Sequence, residues 1–524
     1  MHWTQATYQA EIITEPLDLD ATPAALLDAL ADLHDPAMLD SAALHETYGR
    51  YSILACEPMD VLTLHQGTLR HRQGGVLAAG DDRAIWTALS DAFSAIQASP
   101  PDGGGDPRID AALYAPGWIG YLAYELGRHV ERLPGRAPRD THLPDLHLAF
   151  YDSLLVYDAV AHDWSLRRLV FPGRHPFTSR AHQSLRQLAD RARHRSPQAP
   201  PAPPDQADAA IRTAARDFRT NFTPAQYRRT IARCLRYITA GDIFQVNLSQ
   251  RLTVPDAPPP PAIYHALRHR NPAYYGAYLA FEAGGRPCAV LSSSPELFMR
   301  VRGGHVITRP IKGTRPRIGD KLANARAAAD LLASPKDNAE LAMIIDLLRN
   351  DLGRVCRFGT IRVTEPRALE THPTVFHLAG TVEGDLRPGI GAAELLRATF
   401  PGGSITGAPK IRAMEIIDEL EPQARGVYTG CIGHVGVDGA CEWNIVIRTV
   451  VCDGPNAHVQ VGGGIVADST TTGEYQETLD KARAMLEAIA EARAIEASQV
   501  PGVIRELFEL DRENKQHRSN RDKS

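Results

Sequence analysis

The sequence predicts an α+β fold, on three observations. Segments with strand-like alternation, such as residues 51–55 and 153–157, are mixed with helix-like stretches, without a regular strand–helix–strand alternation. A glycine pair, Gly303 and Gly304, separates two strand-like runs and reads as a two-residue hairpin turn. Helix-start signals stand at Thr223 and Ser334, where a hydroxyl able to cap the helix precedes a proline in the first turn.

Taken in order, residues 1–194 hold the first set of strands and helices. Residues 195–215 open on a run of proline, alanine and polar groups almost free of large apolar side chains, and read as a linker or exposed excursion. A second folded region spans 216–497, and the charged residues 498–524 are expected to fray. In that second region Thr223 and Gln226 have capping-box spacing and open a helix through Ile231, Leu235 and Ile238 that Gly241 closes. Residues 244–250 follow as a strand. Counting outward from the Gly303–Gly304 turn pairs Arg302 with His305 and sets Glu296 opposite Ile311. Pro295 and Pro310 cannot donate to a ladder, so the pairing is expected to end or bulge near them.

Composition narrows the function. The 524 residues carry a formal net charge of -5, with neither a basic excess nor an acidic tail, so nucleic acid is not expected as a partner. The cysteine count of 7 is odd and contains no CxxC pair, which fits reduced thiols in a cytoplasm. There is no basic segment leading into an apolar one at the start and no apolar stretch of about 18 residues, so neither secretion nor membrane insertion is expected.

Several constellations could carry chemistry. Lys312 stands among Arg309, Arg315 and Arg317, and cationic neighbours favour a neutral amine. Asp337 and Glu340 lie three apart on the helix from Ser334, and Glu474 and Glu477 repeat that spacing on a later helix. Two such pairs would suit Mg²⁺, although either pair alone reads more readily as a solvated helix face. Residues 401–410 form a glycine-rich loop entering a helix, with Pro409 near its first turn and the Thr406 hydroxyl among free amides that could hold a carboxylate or phosphate. Gly462, Gly463 and Gly464 follow a strand and would let a ligand approach the backbone, but a plain tight turn fits equally. Arg448 ends an apolar strand, Tyr428 lies on what reads as the neighbouring one, and His377 sits in an apolar setting typical of a core histidine.

Together these segments resemble the chorismate-utilising enzymes, the family of anthranilate synthase component I, aminodeoxychorismate synthase component I and the isochorismate and salicylate synthases. The matching motifs run in family order from residue 244 to residue 478, with partial echoes at 38–41, 49–52 and 117–121. The resemblance implies large antiparallel β-sheets packed as a sandwich and flanked by helices, with an N-terminal region over 1–194 and a chorismate-binding catalytic region over 216–497. It implies Mg²⁺ held by Glu340 and Glu477, with Asp337 and Glu474 beside them. It makes Glu296 the general acid toward the departing C4 hydroxyl. It places Arg448, Tyr428, Thr406, Gly462, Gly463 and Gly464 against the substrate carboxylates, and Thr314 and His377 along the ring. Gln245 stands where isochorismate and salicylate synthases carry a basic lysine, which argues against water as nucleophile. Residues 310–314, PIKGT, resemble the aminodeoxychorismate branch, in which Lys312 attacks C2 before ammonia adds at C4. That branch implies ammonia as co-substrate, supplied by a separate glutamine amidotransferase subunit.

Overall fold

Two sheets take in all the described strands, and both are built from the two ends of the chain together. The structure, a computed structural model, describes residues 3, 7–72, 74–99, 114–172, 179–193, 219–317, 319–372 and 375–493. The expected linker at 195–215 and the tail at 498–524 lie outside the described residues. In the 13-stranded sheet, Ala37–Asp40 from the N-terminal region pairs with Tyr275–Ala283. In the 12-stranded sheet, Gly117–Leu122 pairs with Cys431–Gly436. Pairing is antiparallel except between Tyr8–Leu17 and Ile96–Ser99.

The sheets face each other. Ile53, Ala55, Leu279 and Val290 of the first meet Val61, Ile119, Tyr121 and Ile432 of the second in one buried cluster. Intervening residues point outward: Leu54, Tyr278 and Leu291 are buried with Leu26, Ile263 and Met485 from the helices Pro23–Ala31, Pro260–Arg270 and Thr471–Ala492. On the other side, Leu62, Leu64 and Phe150 are covered with Ile85 and Leu89 of the Asp82–Ser94 helix. Strands apolar on both faces are what an inner pair of layers between helices demands, because alternate side chains enter different cores. This is the expected α+β sandwich flanked by helices.

Local signals hold where they depend on neighbours in sequence. The Pro224–Thr239 helix has its capping box, with the Thr223 hydroxyl accepting from the Gln226 amide at 3.2 Å and the Gln226 side chain accepting from the Thr223 amide at 2.8 Å. Gly241 follows its end at φ +83°, in the left-handed region that favours glycine. The Ser334 hydroxyl accepts from the Asp337 amide at 3.3 Å and caps Pro335–Gly353.

Two expectations fail where the chain changes sheets. Residues 444–449 are not one strand: Cys441–Asn444 belongs to the 12-stranded sheet, Thr449–Asp453 to the 13-stranded one, and Arg448 sits in the crossing at φ +53°. Tyr428 lies in the turn before Cys431–Gly436 rather than on a strand beside Arg448. Apolar runs alone do not reveal such a crossing, since both segments are buried.

Candidate active site

The hairpin that opens the site pairs Arg302 with His305 as expected, but its register shifts between Leu297 and Arg300, so that Leu297 faces Arg309. The ladder therefore stops short of Glu296. Beyond Pro310 the hairpin pairing is lost, but the chain stays beside Val375–Asp385, which pairs with His305–Arg309 and again with Ile311–Pro316. A second register shift at Gly313 sets Lys312 opposite Leu378 and Thr314 opposite His377. Gly313 has φ +67°, and a Cβ there would lie 2.7 Å from Leu331 Cδ1 and 2.9 Å from Asp337 Cγ. The bulge thus needs glycine for both conformation and space.

Lys312 and Glu296 converge on Ser404. The Lys312 ammonium donates to the Ser404 carbonyl at 3.0 Å, and the Glu296 carboxyl is held by the Ser404 side chain. Burial lowers the Lys312 pKa, against the opposing pull of Glu340 and Glu296. The three arginines are not the cause, contrary to the sequence expectation. Arg309 is bound to Glu370 at 2.7 Å and to Glu365, Arg315 to Asp330 at 2.6 Å, and Arg317 donates to the His372 carbonyl at 2.6 Å. Glu296 is 4% exposed, and its burial raises its pKa. Burial thus moves the acid upward and the amine downward, with both groups held by Ser404.

His377 is buried, with Nδ1 at 3.1 Å from both the Thr314 hydroxyl and the Gly313 carbonyl. Burial pushes its pKa down to about 3, so the ring is neutral at working pH and serves as a hydrogen-bonding fixture of the bulge.

The carboxylates come from two helices, Pro335–Gly353 and Thr471–Ala492. Burial raises the pKa of Glu340 and of Glu474, whereas Lys481, 2.7 Å from Glu477, lowers that of Glu477. Glu474 accepts from the Ser469 hydroxyl at 2.6 Å through Oε1, while its Oε2 is buried without a partner. Lys336 reaches across the helices to Glu474 at 3.6 Å and lies 3.9 Å from Glu340. Asp337 is paired with Arg315 at 3.3 Å. Among the described residues, no three His, Cys, Asp or Glu side chains converge as a ready metal cage. The carboxylate oxygens and the orphaned Oε2 nevertheless form the hard donor set that suits Mg²⁺, which retains several of its own waters.

The glycine segment is part of a strand rather than following one. Gly464, Gly463 and Gly462, within Asn456–Ile465, pair with Asn247, Leu248 and Ser249 of Gln245–Val254. A Cβ at Gly464 would meet Gln245 Nε2 at 2.4 Å, and one at Gly463 would meet Glu474 Oε2 at 3.0 Å. The glycines make room for two buried polar groups that lack partners, since both polar atoms of the Gln245 amide are also unpaired. Arg448 approaches the same region, donating to the Lys481 carbonyl at 3.5 Å, and burial lowers its pKa.

The expectation for Thr406 fails in detail. Its hydroxyl is fully buried and donates to the Gly402 carbonyl at 3.0 Å, so it braces the loop instead of standing free. Pro409 is the residue before the Lys410–Leu420 helix, not its first turn, and residues 407–408 form a short strand against Gln245–Val254. Sequence reasoning also missed Arg425. This buried guanidinium donates to the carbonyls of Ile405 and Asn247 at 3.0 and 2.7 Å and pairs with Glu421 at 2.7 Å, tying the 403–405 turn to the Gln245 strand. Its ring partner Tyr124 lies far from it in the chain, and the four-residue spacing from Glu421 falls outside a helix, so no helical pattern announced it. Lys336 and Lys481 were readable as partners four residues from Glu340 and Glu477.

The model of the family described as chorismate binding enzyme matches residues 39–487. The chain belongs to that family. Anthranilate synthase component 1 of Pseudomonas aeruginosa is 39% identical over 471 residues, covering 90% of this chain and 93% of the relative. Aminodeoxychorismate synthase component 1 of Klebsiella aerogenes is 37% identical over 450 residues, covering 86% of this chain and 92% of the relative. The crystal structure of anthranilate synthase component I from Streptococcus pneumoniae superposes with a TM-score of 0.69 at 30% identity, covering 85% of this chain and 94% of that one. As a member of the chorismate-binding family, the chain has its cluster of unpaired buried polar groups within the matched span.

Proposed function

We propose that the protein aminates chorismate at C4, giving 4-amino-4-deoxychorismate, with Mg²⁺ and with ammonia from a separate glutamine amidotransferase subunit. The observation that carries this reading is Lys312, whose amine lies beside the acid Glu296 at Ser404. Its neutral amine attacks C2 of the ring. Both ring double bonds shift, C1=C2 to C1=C6 and C5=C6 to C4=C5, and the C4 hydroxyl leaves as water with the proton of Glu296. Ammonia then adds at C4 and gives a proton back to Glu296, both double bonds return to C5=C6 and C1=C2, and the lysine amine departs from C2, so the sum is chorismate plus ammonia giving product plus water. Splitting one hard displacement into two allylic ones is the gain from a covalent lysine. Glu340 and Glu477, with Glu474 adjoining, would hold Mg²⁺, which when bound neutralises substrate carboxylate charge. Gln245 orients the incoming amine through its unpaired amide. Arg448 and Tyr428 hold a substrate carboxylate, with the 462–464 strand alongside.

The second reading is anthranilate formation, favoured by the 39% identity to an anthranilate synthase component 1. Product analysis separates them: purified chain, chorismate, Mg²⁺ and ammonium at alkaline pH should yield 4-amino-4-deoxychorismate by mass and chromatography. Anthranilate and pyruvate as the main products would replace the first reading with the second. Glutamine should substitute for ammonium only after a glutaminase subunit is added.

A further inference from the structure

The Pro335–Gly353 helix begins with a lysine, Lys336, in its first turn, where the helix dipole favours the opposite charge. That position carries a cost unless the ammonium has other work. Its side chain is 42% exposed, yet it reaches Glu474, whose side chain is only 5% exposed, and Glu340 on its own helix. It is the cross-helix ion pair at this point, because Lys481 is occupied on its own helix by Glu477 and by the Gly462 carbonyl at 3.0 Å. The second oxygen of Glu474 remains buried and unpaired.

We propose that Lys336 is a tethered counter-ion for the Glu340 and Glu474 carboxylates, which a divalent cation must displace on entry. The inference rests on the Mg²⁺ reading above. In the metal-free protein the ammonium offsets the repulsion between carboxylates brought together from two helices. Its exposed side leaves it an exit toward solvent, and the unpaired Glu474 oxygen offers the entering cation its first foothold. The lysine therefore trades metal affinity for a folded, pre-assembled site in the absence of metal. The apparent dissociation constant for the cation is raised by the fraction of time the ammonium holds the carboxylates.

The test is calorimetric titration of metal-free protein with Mg²⁺, without substrate, in wild type, Lys336→Met, Lys336→Gln, Lys336→Arg and Glu340→Gln. Removing the ammonium should tighten Mg²⁺ binding on the order of three- to tenfold, as expected for a competitor occupying most of the site most of the time. Lys336→Arg, which keeps the charge, should show no gain. In chelator, Lys336→Met and Lys336→Gln should melt below wild type, and added Mg²⁺ should raise their melting temperature more than it raises that of wild type. A lysine that only braced the helices would lower stability equally with and without Mg²⁺ and leave affinity unchanged or weaker, and that outcome overturns the inference. If one neutral variant fails to fold, the other decides. Equal Mg²⁺ binding by wild type and Glu340→Gln would instead remove the metal reading, and this inference with it.

Discussion

Glu296 and Lys312 set the pH behaviour, because burial moves them toward each other: the acid upward, the amine downward. The reaction needs Glu296 protonated and Lys312 neutral, so kcat/KM is predicted to rise as Lys312 loses its proton, below the ordinary lysine range, and to fall as Glu296 loses its own, above the ordinary carboxylate range. Glu296→Gln should remove the falling limb from whatever activity survives. His377, held at about 3, should contribute no limb near neutral pH, which a His377→Asn profile checks. At the carboxylates, Glu340→Gln and Glu477→Gln should each weaken Mg²⁺ binding on the order of 10- to 100-fold and remove most Mg²⁺-dependent turnover. Near-normal activity with unchanged Mg²⁺ dependence in both would exclude them as ligands. That each helix carries acids three residues apart was legible as a local fact, but that Asp337 pairs with Arg315 while Lys336 links Glu340 to Glu474 across two helices was not. The environment of Lys312 was not, since its arginine neighbours in sequence spend their charge on Glu370, Asp330 and a backbone carbonyl brought in from elsewhere.

At the scale of elements, two glycine positions decide the site's shape. Gly313→Ala forces a side chain into a left-handed bulge against Leu331 and Asp337, and should cost about 1 kcal/mol or more while disturbing Lys312. Gly464→Ala meets only the end of the flexible Gln245 side chain, so melting should change little while KM for chorismate or ammonium rises. Thr223→Ala, at a cap remote from this chemistry, should lose about 1 kcal/mol and leave the product unchanged. Caps and the hairpin turn were readable because their signals lie within a few residues. The crossing at 445–448, the burial of the Thr406 hydroxyl and the placing of 462–464 inside a strand were not, because they depend on which sheet receives each segment.

For the whole molecule, strands of residues 1–194 sit inside both sheets beside strands of the catalytic region. Residues 216–497 expressed alone would leave Tyr275–Ala283 and Cys431–Gly436 with unpaired edges, and should be insoluble or unfolded. The intact chain should melt in a single transition by circular dichroism. Two separated transitions, with a soluble 216–497 fragment, would show that the regions are independent. The sandwich itself was legible through motif order rather than through any pairing signal, because contacts between residues such as Leu39 and Ala277 join segments more than 200 residues apart. The reaction this scaffold supports is tested most directly by intact-protein mass spectrometry on samples quenched during turnover with chorismate, Mg²⁺ and limiting ammonium. Wild type should carry an added mass of chorismate less one water, mapped to the peptide containing Lys312, while Lys312→Ala and Lys312→Arg carry none and make no 4-amino-4-deoxychorismate at an appreciable rate. A wild type that never carries the adduct, together with a Lys312→Ala variant forming that product at near wild-type rate, would contradict the covalent role of Lys312.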